Sequence, residues 1–202
     1  MTNILLKRLR NESGDSILTM ALISTLFVAL LVGFALDVSK NAMLRSNYST
    51  MAQQSVETGV KTINSNGSLN ANTPIAVYNE YIAQRNPSPS ELISSNETTP
   101  YQDGACRVVT VNGVEHTAPY IVLTLDSERG SGIVSSSSVT YYIEADGSMT
   151  TSDTFNNSVK YKVVTATVYD TAENIILGMF GMPCQQFASE VSATTFRINT
   201  DV

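Results

Sequence analysis

The chain of 202 residues is poor in the groups that reaction chemistry usually needs. It has one histidine, His116, and no Gly-x-Ser-x-Gly, so a nucleophile paired with a histidine base has little to be built from. Its two cysteines, Cys106 and Cys184, lack the Cys-x-x-Cys spacing of zinc and redox sites. Gly130-Ser131-Gly132 runs into Ile-Val-Ser, without the Gly-Lys-Ser/Thr ending of a phosphate loop. Asp126-Ser127-Glu128-Arg129-Gly130 misses the Asp-x-Ser-x-Ser of an adhesion-type cation site, because glutamate and glycine stand where the pattern needs other residues. Charge is scarce as well: 12 basic against 18 acidic residues give a formal net charge of −6, and outside the N-terminal flank the basic residues do not cluster. These shortages point away from an enzyme, from a metal or other cofactor, and from nucleic acid as a partner.

What the chain does have is one long apolar run, Ile17–Leu36, with no charge in it. As a helix at ~1.5 Å per residue it is about 30 Å long, the thickness of the hydrocarbon core of a bilayer. Its twelve Leu, Ile, Val and Phe residues, among them Ile17, Leu22, Leu26, Phe27, Leu31, Phe34 and Leu36, would favour insertion by about 4–7 kcal/mol before Thr19, Ser24 and Thr25 take some back. Lys7, Arg8 and Arg10 precede the run, so the expected orientation keeps the N-terminus cytoplasmic and puts the remainder outside the cell membrane. A cleaved secretory signal is the competing reading. Its small-x-small site could only be Gly33-Phe34-Ala35, which lies within the run rather than after it. A buried core helix would show a polar stripe, and this run is apolar all round.

The expected domain order is a basic cytoplasmic tail at 1–16, a transmembrane helix at 17–36, an amphipathic extension of the same helix at 37–64, and an extracytoplasmic α+β domain at 65–202. Asp15 or Ser16 is the expected helix cap. From Asp37 to Ile63 there is no proline, Gly59 is the one glycine, and Leu44, Tyr48, Met51, Ala52, Val56, Val60 and Ile63 recur at helical spacing. One stripe of the extension should therefore bury itself. Pro74–Arg85 suits a short helix capped by Thr73, and three prolines make 86–101 a loop. The period then changes to that of strands: 106–111 and 114–117 around Asn112-Gly113, 120–125, a Gly/Ser loop at 128–138, 139–145 and 148–151 around Asp146-Gly147, 159–170, and 187–198. A short helix at 171–180 interrupts the last two. The fold expected is pilin-like: a long helix whose upper half covers an antiparallel sheet of five to seven strands. Both cysteines fall on the outer side, where a Cys106–Cys184 disulfide is the one pairing available and two buried thiols are the alternative.

Two stretches carry a resemblance. Glu12-Ser13-Gly14, the apolar helix, Gly33-Phe34-Ala35-Leu36-Asp37-Val38, Arg45 and the Ala/Gln-rich helix to about Val60 form the first. Val163–Val168, Leu177-Gly178-Met179-Phe180-Gly181 and Val191-Ser192-Ala193-Thr194 form the second. Together they resemble the TadE/TadG-like proteins of tight-adherence (Flp-type) pili. The resemblance implies a non-catalytic, minor pilin-like membrane protein of pilus assembly or secretion, whose partners are the membrane and other pilins or assembly proteins. It implies family motif positions at Gly14, Gly33, Asp37 and Val38. Members processed after the glycine carry a glutamate early in the mature helix. That place is held here by Thr19, which favours an unprocessed, TadG-like anchor and leaves Gly14 open as a processing site. In a fibre, the small residues Ala21, Ser24, Ala29 and Gly33 would let the helix approach a pilin or a second copy of itself in a homo-oligomer. The other reading of the chain is a membrane-anchored extracytoplasmic domain that binds a ligand.

Overall fold

The computed structural model describes residues 2–85, 106–127, 137–174, 176–182 and 184–195, with side chains from residue 16 onward. The expected loop at 86–101, most of the Gly/Ser loop after Ser127, and the end of the closing strand lie outside the described residues.

The first helix, α1, runs unbroken from Thr2 to Val60, 59 residues, or about 90 Å at 1.5 Å each. It is longer at its start than the sequence implies. The helix passes through Gly14, Asp15 and Ser16 instead of being capped there, because Ile4-Leu5-Leu6-Lys7-Arg8-Leu9-Arg10 are themselves good helix formers and a capping side chain cannot stop a turn already under way. At its other end α1 stops at Val60, short of the expected Ile63. Ile63 instead forms an isolated bridge with Leu69, closing the loop that leads to α2 (Thr73–Arg85).

Among the described residues seven strands follow: β1 (Val108–Val111), β2 (Val114–Thr117), β3 (Tyr120–Ser127), β4 (Ser138–Ile143), β5 (Met149–Thr151), β6 (Tyr161–Glu173) and β7 (Cys184–Thr194), with a one-turn helix α3 (Ile176–Met179) between the last two. Five form an antiparallel sheet in the order β5-β4-β3-β6-β7, and β1 and β2 form a separate hairpin. The Asn112-Gly113 turn is as expected, with both residues at positive φ, 52° and 82°. The second turn is of another kind. Of its central pair only Gly147 has positive φ, and Asp146 accepts the Ser148 N–H through its side chain at 2.8 Å.

One face of the large sheet is the core. Ile121, Leu123 and Leu125 of β3, Val139, Tyr141 and Ile143 of β4, and Val164, Ala166 and Val168 of β6 pack with Ala52 and Val56 of α1 and with Val77 and Tyr81 of α2. These are alternate residues on each strand, as the pleat requires. The opposite face carries a smaller cluster in which Val109 and Val111 of the hairpin meet Ala118, Tyr120, Val122 and Tyr169. The two helices cross closely: a Cβ on Gly59 would collide with the Val77 side chain, and Thr62 Oγ1 and Thr73 Oγ1 share a hydrogen bond of 2.8 Å. The architecture is thus mixed α+β, a long apolar N-terminal helix packed on an antiparallel sheet.

Candidate functional site: where the helix meets the sheet

The upper part of α1 lies over β6 and β7, and its contact with the body continues down into the apolar run. Gly33, Asp37 and Asn41 are spaced at one turn each, so they share a face, and Tyr48 continues it two turns higher. Opposite them stands the corner where β6 ends, α3 turns and β7 begins. The sequence predicts a short helix at 171–180. Instead β6 continues to Glu173, because Thr171, Ala172 and Glu173 pair with Gln186, Gln185 and Cys184, and only Ile176–Met179 is helical.

Asp37 is 2% exposed. Its Oδ2 accepts the backbone N–H of Ile176 at 2.7 Å and that of Leu177 at 2.9 Å. A carboxylate from a helix far away in sequence therefore satisfies the first amides of α3, which its own turn cannot pair. One turn lower, a Cβ on Gly33 would come within 2.5 Å of Ile176 Cγ1, so the absent side chain is what lets the corner approach. One turn higher, the Asn41 amide donates to Asn174 Oδ1 at 2.7 Å and to Gln185 Oε1 at 2.6 Å. The Lys40 ammonium donates to the Glu173 carbonyl at 2.8 Å, and the Tyr48 hydroxyl to the Thr171 carbonyl at 3.2 Å. Above these, the rings of Tyr48 and Phe187 meet at 5.7 Å. On the far side of the corner, Cys106 and Cys184 are disulfide-bonded with Cα atoms 5.2 Å apart, and Thr171 Oγ1 donates to the Cys106 carbonyl at 2.5 Å.

Of the sequence-singled residues, the structure brings Gly33, Asp37, Cys106 and Cys184 to this junction. Val38 points away and is exposed. Gly33 serves close packing, but its neighbour is Ile176 of the same chain, while Ala21, Ser24 and Ala29 remain exposed. Ile17, Leu22, Leu26, Phe27, Leu31, Phe34 and Leu36 are all exposed, between 49% and 70%. Gly14 lies within the helix. His116 is half-buried: its Nδ1 is 2.8 Å from Glu144 Oε1 and its ring stacks on Tyr120 at 3.8 Å, tying the small hairpin to the large sheet.

A second polar cluster involves residues that the sequence pattern does not single out. Asp170, 1% exposed, pairs with Arg85 Nη2 at 3.0 Å and accepts from the Tyr81 hydroxyl at 3.0 Å and the Thr171 N–H at 2.7 Å. Burial pushes the Asp170 carboxyl up from its usual value, and Arg85 draws it partly back. Burial, then the neighbouring Asp170, pushes the Tyr81 phenol well up. The signal was present: Asp170 continues the inward series Val164, Ala166, Val168, and an acid at such a position requires partners. Elsewhere, a surface depression of about 810 Å³ is bordered by Val139, Asp153, Phe155, Asn157 and Tyr161. Among the described residues, no three His, Cys, Asp or Glu side chains converge as a metal site would need.

No family model, no curated protein and no solved structure matches this chain. Ser16–Val60 is one N-terminal helix long and apolar enough to cross a membrane, and the span-forming stretch of it has no part buried in the protein.

Proposed function

We propose that the protein is a non-catalytic, single-pass membrane component of tight-adherence (Flp-type) pilus assembly or secretion, minor pilin-like and of the TadG-like kind. In this reading the N-terminus is cytoplasmic, the sheet domain is extracytoplasmic, and the domain works by contact with pilins or other assembly proteins. The observation that carries it is the continuous helix α1, apolar and largely exposed from Ile17 to Leu36 and packed on an antiparallel sheet above Asp37. A stem continuous with a head suits a protein that must hold other subunits at a fixed distance from the bilayer. The resemblance around Gly33-Phe34-Ala35-Leu36-Asp37-Val38 adds the pilus system specifically.

The test is deletion of the gene in its host, with surface fibres counted by electron microscopy and adhesion measured, then restored from a plasmid. Loss of fibres or adhesion on deletion, and recovery on complementation, is expected. Normal fibres and adhesion would overturn the reading. The depression beside Tyr161 favours a second reading, an anchored ligand-binding domain. That reading would be supported by a small molecule protecting this rim from hydrogen exchange in the intact protein.

A further inference from the structure

We propose that the β6–α3–β7 corner is a second membrane contact, in which Met179, Phe180 and Met182 enter the lipid interface beside α1. The proposal rests on the reading of α1 as a membrane anchor and adds the lipid surface as a partner of the folded domain itself.

Three observations converge on it. The first is exposure: Met179 is 76%, Phe180 63% and Met182 54% exposed, on a turn with no charged residue between Asn174 and Cys184. The second is depth. Ile176 packs against Gly33, which lies a turn inside the end of the apolar run, and the amides of Ile176 and Leu177 are held by Asp37 just beyond that end. A bilayer that covers the run to Leu36 therefore reaches the corner. The third is the order of polarity along the axis. The Lys40 ammonium reaches the Glu173 backbone carbonyl about one turn above Asp37, at the level where headgroups would lie, while Leu31, Phe34 and Leu36 below are apolar and exposed. A lipid surface matches that gradient, with the apolar tip seated roughly 5–10 Å into the headgroup boundary. A protein partner would have to match both the tip and the lipid-facing side of the stem.

The chain contains no tryptophan, so a single one reports its own surroundings. Three full-length variants are reconstituted into phosphatidylcholine vesicles whose acyl chains carry bromine either near the carbonyl end or near the chain terminus. These are Phe180→Trp at the corner, Phe27→Trp at the middle of the apolar run, and Tyr142→Trp on the exposed side of β4. Phe180→Trp is expected to emit to the blue and to be quenched more by the shallow bromines than by the deep ones. Phe27→Trp is expected to be quenched more by the deep ones, and Tyr142→Trp by neither. If Phe27→Trp is quenched while Phe180→Trp emits as in water, the anchor stands and the corner contact is overturned. If Phe180→Trp emits to the blue but is untouched by either bromine, protein rather than lipid covers the corner, which also overturns it. If Phe27→Trp is itself unquenched, the anchor reading fails and the corner contact falls with it.

Discussion

The two halves of α1 share one backbone and almost nothing else. From Ser16 to Leu36 nearly every side chain is exposed, apolar or not. From Asp37 to Val60 a single stripe is buried: Asp37, Asn41, Ala52, Ser55 and Val56, with Tyr48 and Met51 half-covered. The lower half gains little stability from the body over most of its length, and it has the length and composition to cross a bilayer. The upper half is an ordinary amphipathic helix held by tertiary packing. Hydrophobicity separates the two, and so does its distribution around the helix: all round below, on one side above.

The sharpest way to break this contrast is to put the same charge into each half. Val56→Asp buries an unpaired carboxylate in the core and is expected to destabilise the domain by more than about 4 kcal/mol, read by urea unfolding in detergent. Phe27→Asp should leave that unfolding curve unchanged and instead reduce the membrane-bound fraction on flotation, at about 3 kcal/mol of insertion. A shared response of the two variants would erase the distinction. Next in size is removal of the disulfide. Cys106 and Cys184 close a loop with a separation of 78 residues, and their joint replacement by alanine is expected to lower stability by about 4 kcal/mol in the chain-entropy picture, without moving the protein from the membrane fraction.

The boundary itself can be probed at Asp37. Asp37→Ala strands the half-buried amides of Ile176 and Leu177, with an expected loss of about 1–2 kcal/mol and faster hydrogen exchange at α3 before the rest of the sheet. The smallest effect is one of pH. The Asp170 carboxyl is raised in the folded state, so its contribution is fully present below the ordinary value of 3.8 and is lost as pH rises through the raised one. The stability lead of the native chain over Asp170→Asn is therefore expected to be greatest in acid and to shrink toward neutrality, measured by denaturant unfolding across that range.

The long helix, the strand order of hydrophobic alternation and the Asn112-Gly113 turn were legible because each is encoded within a few neighbouring residues. The disulfide was readable by arithmetic, since two cysteines allow one partner each. The start of α1 differs from the expectation because Asp15 and Ser16 look like an N-terminal cap, whereas the helical preference of the residues before them carries the helix through. The continuation of β6 to Glu173 was illegible locally: Thr171-Ala172-Glu173 fits a helix start as well as a strand, and its pairing with β7 decides. The junction was half-visible. Asp37 and Gly33 stood out as motif positions, but their partner Ile176 lies more than half the chain away, and Asn41, Asn174 and Gln185 form their hydrogen bonds only once the corner is folded.

Gly33 and Asp37 clamp the last turns of the stem to the tip of the sheet, so no swivel separates them. A pull or a twist applied to the far end of the sheet is carried into the stem as through a crank, and turning the head means turning the rod. For the same reason, trimming the chain past its greasy segment to obtain a water-soluble head would remove the clamp: a fragment that begins at Asn41 has already lost the carboxylate that holds the corner in place.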